Sequence, residues 1–66
     1  MLSARNHLKG TIKSVKLGQV MAEVVVEVAG LEFVSLISKA SAERMNLKEG
    51  DKATAVIKAT EVMVEK

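Results

Sequence analysis

Cysteine is absent from this sequence of 66 residues, and histidine occurs once, as His7. Without cysteine the chain can form neither a disulfide nor a thiolate metal site. A single histidine also excludes a histidine-rich metal site within one chain. We therefore expect no metal cation bound directly by side chains and no cofactor, and the fold needs another source of stability.

Aromatic residues are equally scarce, because Phe33 is the one aromatic side chain in the sequence. Proteins that bind single-stranded nucleic acid on small β-barrels stack the bases on aromatic side chains. Phe33 lies in an apolar segment and is expected in the core, so this stacking component is missing. An oligomeric module that binds nucleic acid through its lysines is kept as the alternative function, and it is disfavoured.

Proline is also absent, which removes one of the usual protections of exposed sheet edges against pairing with other chains. We expect a single domain over residues 1–66, and a domain of this size is marginally stable unless something supplements its core. Hydrophobic residues make up 48% of the sequence, more than one small core can bury. Oligomerisation is therefore the expected supplement.

Charge and hydropathy indicate the partner and the compartment. The net charge is +2, which is a weak bias towards anionic partners. No segment has the pattern of a secretory signal, and no apolar run approaches the roughly 20 residues of a membrane-spanning helix. We expect a cytoplasmic protein that does not associate with a membrane.

Apolar periodicity predicts five β-strands, at about 8–17, 20–29, 31–37, 52–58 and 61–64. In the first strand the apolar positions are even-numbered up to Ile12 and odd-numbered from Val15. This change of phase predicts a β-bulge between them. The second strand has an unbroken apolar face on even positions from Val20 to Val28, and Ala29-Gly30 after it is typical of a tight hairpin.

A short helix is predicted between the third and fourth strands, over about 39–45. Ser38 or Ser41 can cap its start, since a serine oxygen accepts hydrogen bonds from free backbone N–H groups. Asn46 can end the helix in a left-handed conformation, and Leu47 is expected to pack back on the barrel. This order of elements is that of a five-stranded OB-like barrel, so we predict an all-β fold with a small α insert.

Two short polar segments, 3–7 and 58–60, carry most of the chemistry of the chain. Both adjoin predicted strands, are rich in hydrogen-bond donors and contain no carboxylate. Arg5 offers a rigid fork of donors and Lys58 a mobile ammonium group. Hydroxyl donors are available from Ser3, Thr60, Ser38 and Ser41.

These donors suit an oxyanion such as sulfate, molybdate or tungstate, which is fully deprotonated at neutral pH and only accepts hydrogen bonds. Phosphate keeps a proton for part of the time and would benefit from an acceptor, which the charged groups of the two segments lack. Arginine and lysine near strand ends are also common as solvated surface residues. Residue chemistry alone leaves both interpretations open.

Catalysis has little support in the sequence. His7 is the one side chain that titrates near neutral pH when unperturbed, and no third group completes a nucleophile–base arrangement around it. The acidic residues mostly fall on predicted outward faces or turns. We predict that the protein is not an enzyme.

The two polar segments and the residues around them resemble the molbindins, or Mop proteins, which are small molybdate-binding proteins. The resemblance spans essentially the whole chain. It is carried by Ser-Ala-Arg-Asn at 3–6, Leu-Lys-Gly-Thr-Ile at 8–12, Ile-Ser-Lys-Ala-Ser at 37–41, Leu-Lys-Glu-Gly-Asp at 47–51 and Ile-Lys-Ala-Thr at 57–60. It implies an OB-like barrel of the TOBE kind, assembled as a hexamer that is a trimer of dimers.

The resemblance also implies that molybdate or tungstate is bound between subunits, for intracellular storage or homeostasis. Ser3, Arg5 and Lys58 match the oxyanion-binding positions of the family. Ser38 and Ser41 match hydroxyls that a neighbouring subunit contributes. The full set of predicted oxyanion-binding residues is Ser3, Ala4, Arg5, Asn6, His7, Ser38, Ser41, Lys58, Ala59 and Thr60.

Overall fold

The computed structural model describes residues 5–66. In chain order the elements are β1 (Asn6–Leu17), β2 (Met21–Val28), β3 (Leu31–Ser38), α1 (Lys39–Arg44), β4 (Lys52–Ile57) and a 3₁₀ helix (Ala59–Glu61). The four strands form one antiparallel sheet in the order β3-β2-β1-β4. The predicted class, mostly β with one short helix between the third and fourth strands, is confirmed.

The fifth predicted strand, at 61–64, is not confirmed. The 3₁₀ helix occupies 59–61, and Val62 then continues in an extended conformation (φ −93°, ψ 118°). A strand is stabilised by hydrogen bonds to a neighbouring strand, and this segment has none in the described residues. Its side chains are correspondingly open, with Met63 94% and Val64 92% exposed.

The core lies on one face of the sheet. Ile12, Val24 and Val26 form its buried centre, and Ala22 and Ala42 are also buried. The even positions of β2 therefore point inward, as the periodicity predicts. Across the β2–β3 ladder Phe33 pairs with Val26 and is half-buried, so it lies on the core side of β3 but outside the buried core cluster in which it was expected.

Strand β1 changes partners along its length, and a bulge accompanies the change. Its first half pairs with β4 and its second half with β2, and the β1–β2 register shifts between Ile12 and Ser14. The predicted bulge is therefore confirmed. Just before it, a Cβ on Gly10 would lie 2.2 Å from the Glu27 carbonyl oxygen, so this close approach of two strands requires glycine.

The helix has the predicted start and end. The Ser38 side chain accepts a hydrogen bond from the Ser41 N–H, and Asn46 follows the helix at φ 52°. Leu47 then packs against the core cluster, as expected. None of the helices in residues 5–66 has the length and hydropathy needed to cross a membrane.

Lys13, next to the bulge, forms an ion pair with Glu32 on β3, and it is the single ion pair found among residues 5–66. The hydrogen bond and the negative charge of Glu32 raise the pKa of Lys13. Both side chains are about half exposed, so the pair contributes little to stability.

Candidate oxyanion-binding site

The start of β1 and the end of β4 bring Arg5 and Lys58 to the same end of the sheet. Asn6 pairs with Ile57 in the β1–β4 ladder. Arg5 comes directly before Asn6, and Lys58 comes directly after Ile57, so both lie just beyond this end of the ladder. Both side chains belong to exposed residues. Within residues 5–66 neither forms an ion pair with a carboxylate, so two neighbouring cations are left to attract an anion.

Asn6 forms a side-chain hydrogen bond between β1 and β4 at this end of the sheet. Its Nδ2 donates a hydrogen bond to the Ile57 carbonyl oxygen at 3.2 Å, and the bond is partly buried. The bond joins the residue after Arg5 to the residue before Lys58. The structure therefore gives Asn6 the role of holding the two cations near each other.

Replacing Asn6 with alanine is expected to destabilise the fold by about 1 kcal/mol, the usual net value of such a hydrogen bond. Asn6→Asp should cost more, since a carboxylate cannot donate and would face the Ile57 carbonyl oxygen. Urea unfolding at a fixed protein concentration measures both. Equal stability of the wild type and the aspartate variant would contradict the assigned bond.

Lys58 precedes the 3₁₀ helix, and Ala59 and Thr60 form its first positions. The Glu61 N–H donates to the Lys58 carbonyl oxygen at 2.9 Å. The first N–H groups of a helix have no acceptor within the helix itself, and the small side chain of Ala59 leaves them approachable. The turn thus adds backbone and hydroxyl donors beside the lysine.

A second group of donors surrounds the start of α1. Ser38 Oγ donates to Ser41 Oγ at 2.8 Å, and the Ser41 N–H donates to Ser38 Oγ at 3.1 Å. Arg44, which is not among the residues predicted from the sequence, donates from Nη2 to Ser41 Oγ at 3.1 Å. Its position three residues after Ser41 on a predicted helix is the signal that could have identified it.

The two groups of donors lie beside opposite ends of β1. Arg5 precedes the first residue of β1, whereas Ser38 pairs with Met21 beside the last residues of that strand. β1, which separates the two groups, has 12 residues, and the subunit is 36 Å long in its longest dimension. The structure therefore brings Arg5 to Lys58 and Ser38 to Ser41, and it does not bring the two groups together within one chain.

The remaining predicted positions add less. Ser3 and Ala4 lie outside the described residues. His7 is exposed on β1 and pairs with Val56. No group of three histidine, cysteine or acidic side chains placed to hold a metal ion is found among residues 5–66.

A cavity of about 650 Å³ lies between the edge strands β3 and β4. Its walls are mainly apolar, with Ile12, Phe33, Ile37 and Ile57 among them. Neither Arg5 nor Lys58 lines it. We call this cavity the slot, and it is distinct from the candidate oxyanion-binding groups.

A small, mostly β domain with two neighbouring cationic side chains at one end of its sheet defines a class of anion-binding domains. The family model of the TOBE domain matches residues 2–64, and the chain belongs to that family. It is 55% identical to the "Molybdenum-pterin-binding protein 3" of Clostridium pasteurianum, over 96% of this chain and 94% of that protein.

Solved structures agree with the family assignment. A molybdate-binding protein from Sporomusa ovata has a TM-score of 0.95 and 42% identity, covering 100% of this chain and 98% of its own. The cytoplasmic molybdate-binding protein ModG, solved with molybdate bound, has a TM-score of 0.83 and 45% identity. That match covers 89% of this chain and 43% of the ModG chain.

Proposed function

We propose that this protein binds molybdate or tungstate between the subunits of a cytoplasmic homo-oligomer, stores or buffers the oxyanion, and catalyses no reaction. The observation that carries the proposal is the position of Arg5 and Lys58 directly beyond the Asn6–Ile57 pair, at one end of the sheet and without a carboxylate partner in the described residues. The relatives named as molybdate-binding or molybdenum-pterin-binding proteins support the choice of ion. The similarity to ModG, described as cytoplasmic, supports the compartment.

The donor set explains why a dianion would be held. Two cationic side chains and several hydroxyl and backbone donors can form many charge-assisted hydrogen bonds, each stronger than a neutral one. Such bonds are needed because removing a dianion from water is costly. Ser3, Ala4 and His7 complete the proposed set around Arg5 and Asn6, and Ala59 and Thr60 complete it around Lys58.

The site is proposed to form between subunits because its two groups are separated within one chain. Oxygen atoms of a small ion reach donors within about 3 Å, so one ion cannot contact both groups of the same subunit. A neighbouring subunit that contributes Ser38 and Ser41 would complete the set. We propose that the oligomer is a hexamer, a trimer of dimers.

Exposed apolar surface supports the oligomer. Val34 and Leu36 on the outer face of β3 are 65% and 67% exposed. Residues 62–64 are apolar, more than half exposed and without a strand partner. The slot between β3 and β4 could accommodate a fifth strand. We propose that residues 62–64 of one subunit form the fifth strand in the slot of its neighbour.

A chain that ends at Glu61 is therefore expected to lose the oligomer. The control is a chain that ends at Val64, which removes the charged residues Glu65 and Lys66 and keeps the apolar segment. Sedimentation velocity should show smaller species for the first variant and the wild-type species for the second. An unchanged oligomer in the shorter variant would contradict the proposed strand.

Isothermal titration tests the proposed function. Titration of the full chain with molybdate, tungstate, sulfate and phosphate should give binding at micromolar or lower concentration for the first two ions and weak binding for the others. Retention of single-stranded DNA at physiological salt, with no binding of molybdate or tungstate, would instead support the nucleic-acid alternative.

A further inference from the structure

Arg44 donates a hydrogen bond to the hydroxyl group of Ser41. A serine hydroxyl has one proton to donate and two positions that accept hydrogen bonds. Ser41 Oγ accepts from Ser38 Oγ at 2.8 Å and from Arg44 Nη2 at 3.1 Å. Both accepting positions are therefore filled, and the Ser41 proton is available to an acceptor outside this group.

The hydroxyl proton of Ser38, in contrast, is already used in a hydrogen bond. This proton goes to Ser41 Oγ, and the Ser38 oxygen accepts the Ser41 N–H at 3.1 Å. Of the two hydroxyls, Ser41 is thus the one that can donate to an oxyanion. Hydrogen bonds in a chain polarise one another, so the bond from a cationic guanidinium makes the Ser41 O–H a stronger donor.

Arg44 also has no acidic partner among the described residues. The ion pair found among residues 5–66 joins Lys13 and Glu32, so no carboxylate of the described chain neutralises the guanidinium. A guanidinium has five N–H donors, and the one hydrogen bond assigned to Arg44 uses one of them. An exposed positive charge therefore lies beside the Ser41 hydroxyl group.

We infer that Arg44 is a positioning residue of the oxyanion site: it orients and polarises the Ser41 hydroxyl and adds positive charge next to it. This inference rests on the proposed function. On this inference, the group of donors at the start of α1 includes a charged residue. Arg5 and Lys58 are then not the only positive charges that attract the oxyanion.

Titration of the full chain with sodium molybdate tests the inference. Arg44→Met keeps the length and helix propensity of the side chain but removes the charge and the donors. It should weaken molybdate binding about tenfold, the size expected for losing one charge-assisted hydrogen bond. Arg44→Lys, which keeps the charge and can still donate, should bind within about threefold of the wild type.

Two controls separate this role from a general effect of charge or of helix stability. Lys52→Met removes one positive charge at the far end of β4 from Lys58, and it should leave the affinity unchanged. Sedimentation velocity should show the same oligomer for every variant. If Arg44 only stabilises the end of the helix, Arg44→Met lowers the unfolding temperature and leaves molybdate affinity at the wild-type value, which overturns the inference.

A double-mutant cycle with Ser41→Ala asks whether Arg44 acts through Ser41. We expect Arg44→Met to weaken binding clearly less in the Ser41→Ala background than in the wild type. Fully additive losses would overturn the positioning role.

The same titrations distinguish a failure of the inference from a failure of the proposed function. A wild-type chain that does not bind molybdate would refute both. Normal binding by the wild type, together with unchanged binding by Arg44→Met, would refute the inference alone.

Discussion

Arg5→Ala is expected to weaken molybdate binding about a hundredfold while the oligomer stays intact. Arg5 is exposed, has no carboxylate partner in the described residues and lies next to Lys58 at one end of the sheet. Its proposed partner is the ion itself. Removing one member of a hydrogen-bonded charge pair costs about 2–5 kcal/mol, and every 1.4 kcal/mol is about a factor of ten in affinity.

Isothermal titration with molybdate measures the loss, and two further variants show its cause. Arg5→Lys keeps the charge but loses the planar fork of donors, so it should retain part of the affinity. Lys52→Ala removes an equal charge at the other end of β4 and should bind normally. Wild-type affinity in Arg5→Ala would show that the oxyanion does not bind at this end of the sheet.

Gly10→Ala is expected to have the largest effect on stability. The added Cβ would lie 2.2 Å from the Glu27 carbonyl oxygen and 2.7 Å from Val28 Cγ2. The first of these atoms belongs to the backbone of β2, so relief requires the two strands to move apart where β1 changes partners. We expect a loss of about 3 kcal/mol or more, at or above the upper end of the usual cost of overpacking.

A loss of this size is a large part of the stability expected for so small a domain. Thr11→Ala is the matched control, because Thr11 is the next residue of β1 and is exposed. Its effect should stay within about 0.5 kcal/mol. Urea unfolding at one fixed protein concentration compares the three proteins, and an unchanged midpoint for Gly10→Ala would contradict the close strand approach.

The features of the fold that could be predicted are those that depend on neighbours in the sequence. The change of apolar phase between Ile12 and Val15 predicts the bulge, and Ser38 and Asn46 predict the start and end of the helix. Each of these signals comes from local backbone chemistry or from the two-residue period of a strand. The structure agrees with all three.

The fifth strand could not be placed in the same way. Residues 61–64 have the composition of a strand, but a strand also needs a partner. The described chain leaves this segment extended and exposed. Its pattern predicts a tendency to pair, but it does not identify the partner strand, which we propose to lie in a neighbouring subunit.

For the candidate site, the sequence indicates the donor residues but not their arrangement. The motif around Arg5 and the segment at Lys58 contain the donors, yet only the β1–β4 register shows that they adjoin. The distance of Ser38 from them follows from the pairing of β2 with β3. Arg44 was not included among the predicted oxyanion-binding residues, because an exposed arginine on a helix is usually a solvated surface residue.

Subunit mixing tests most directly whether the oxyanion site is shared between chains. Arg5→Ala and Ser41→Ala each damage one of the two groups, and each variant alone should bind molybdate poorly. If the groups come from different subunits, co-refolding the two variants at equal concentration should restore about a quarter of the wild-type sites, because subunits of a symmetric oligomer then combine at random. No tight sites in the mixture, with the mixed oligomer confirmed by mass spectrometry, would contradict a site between subunits.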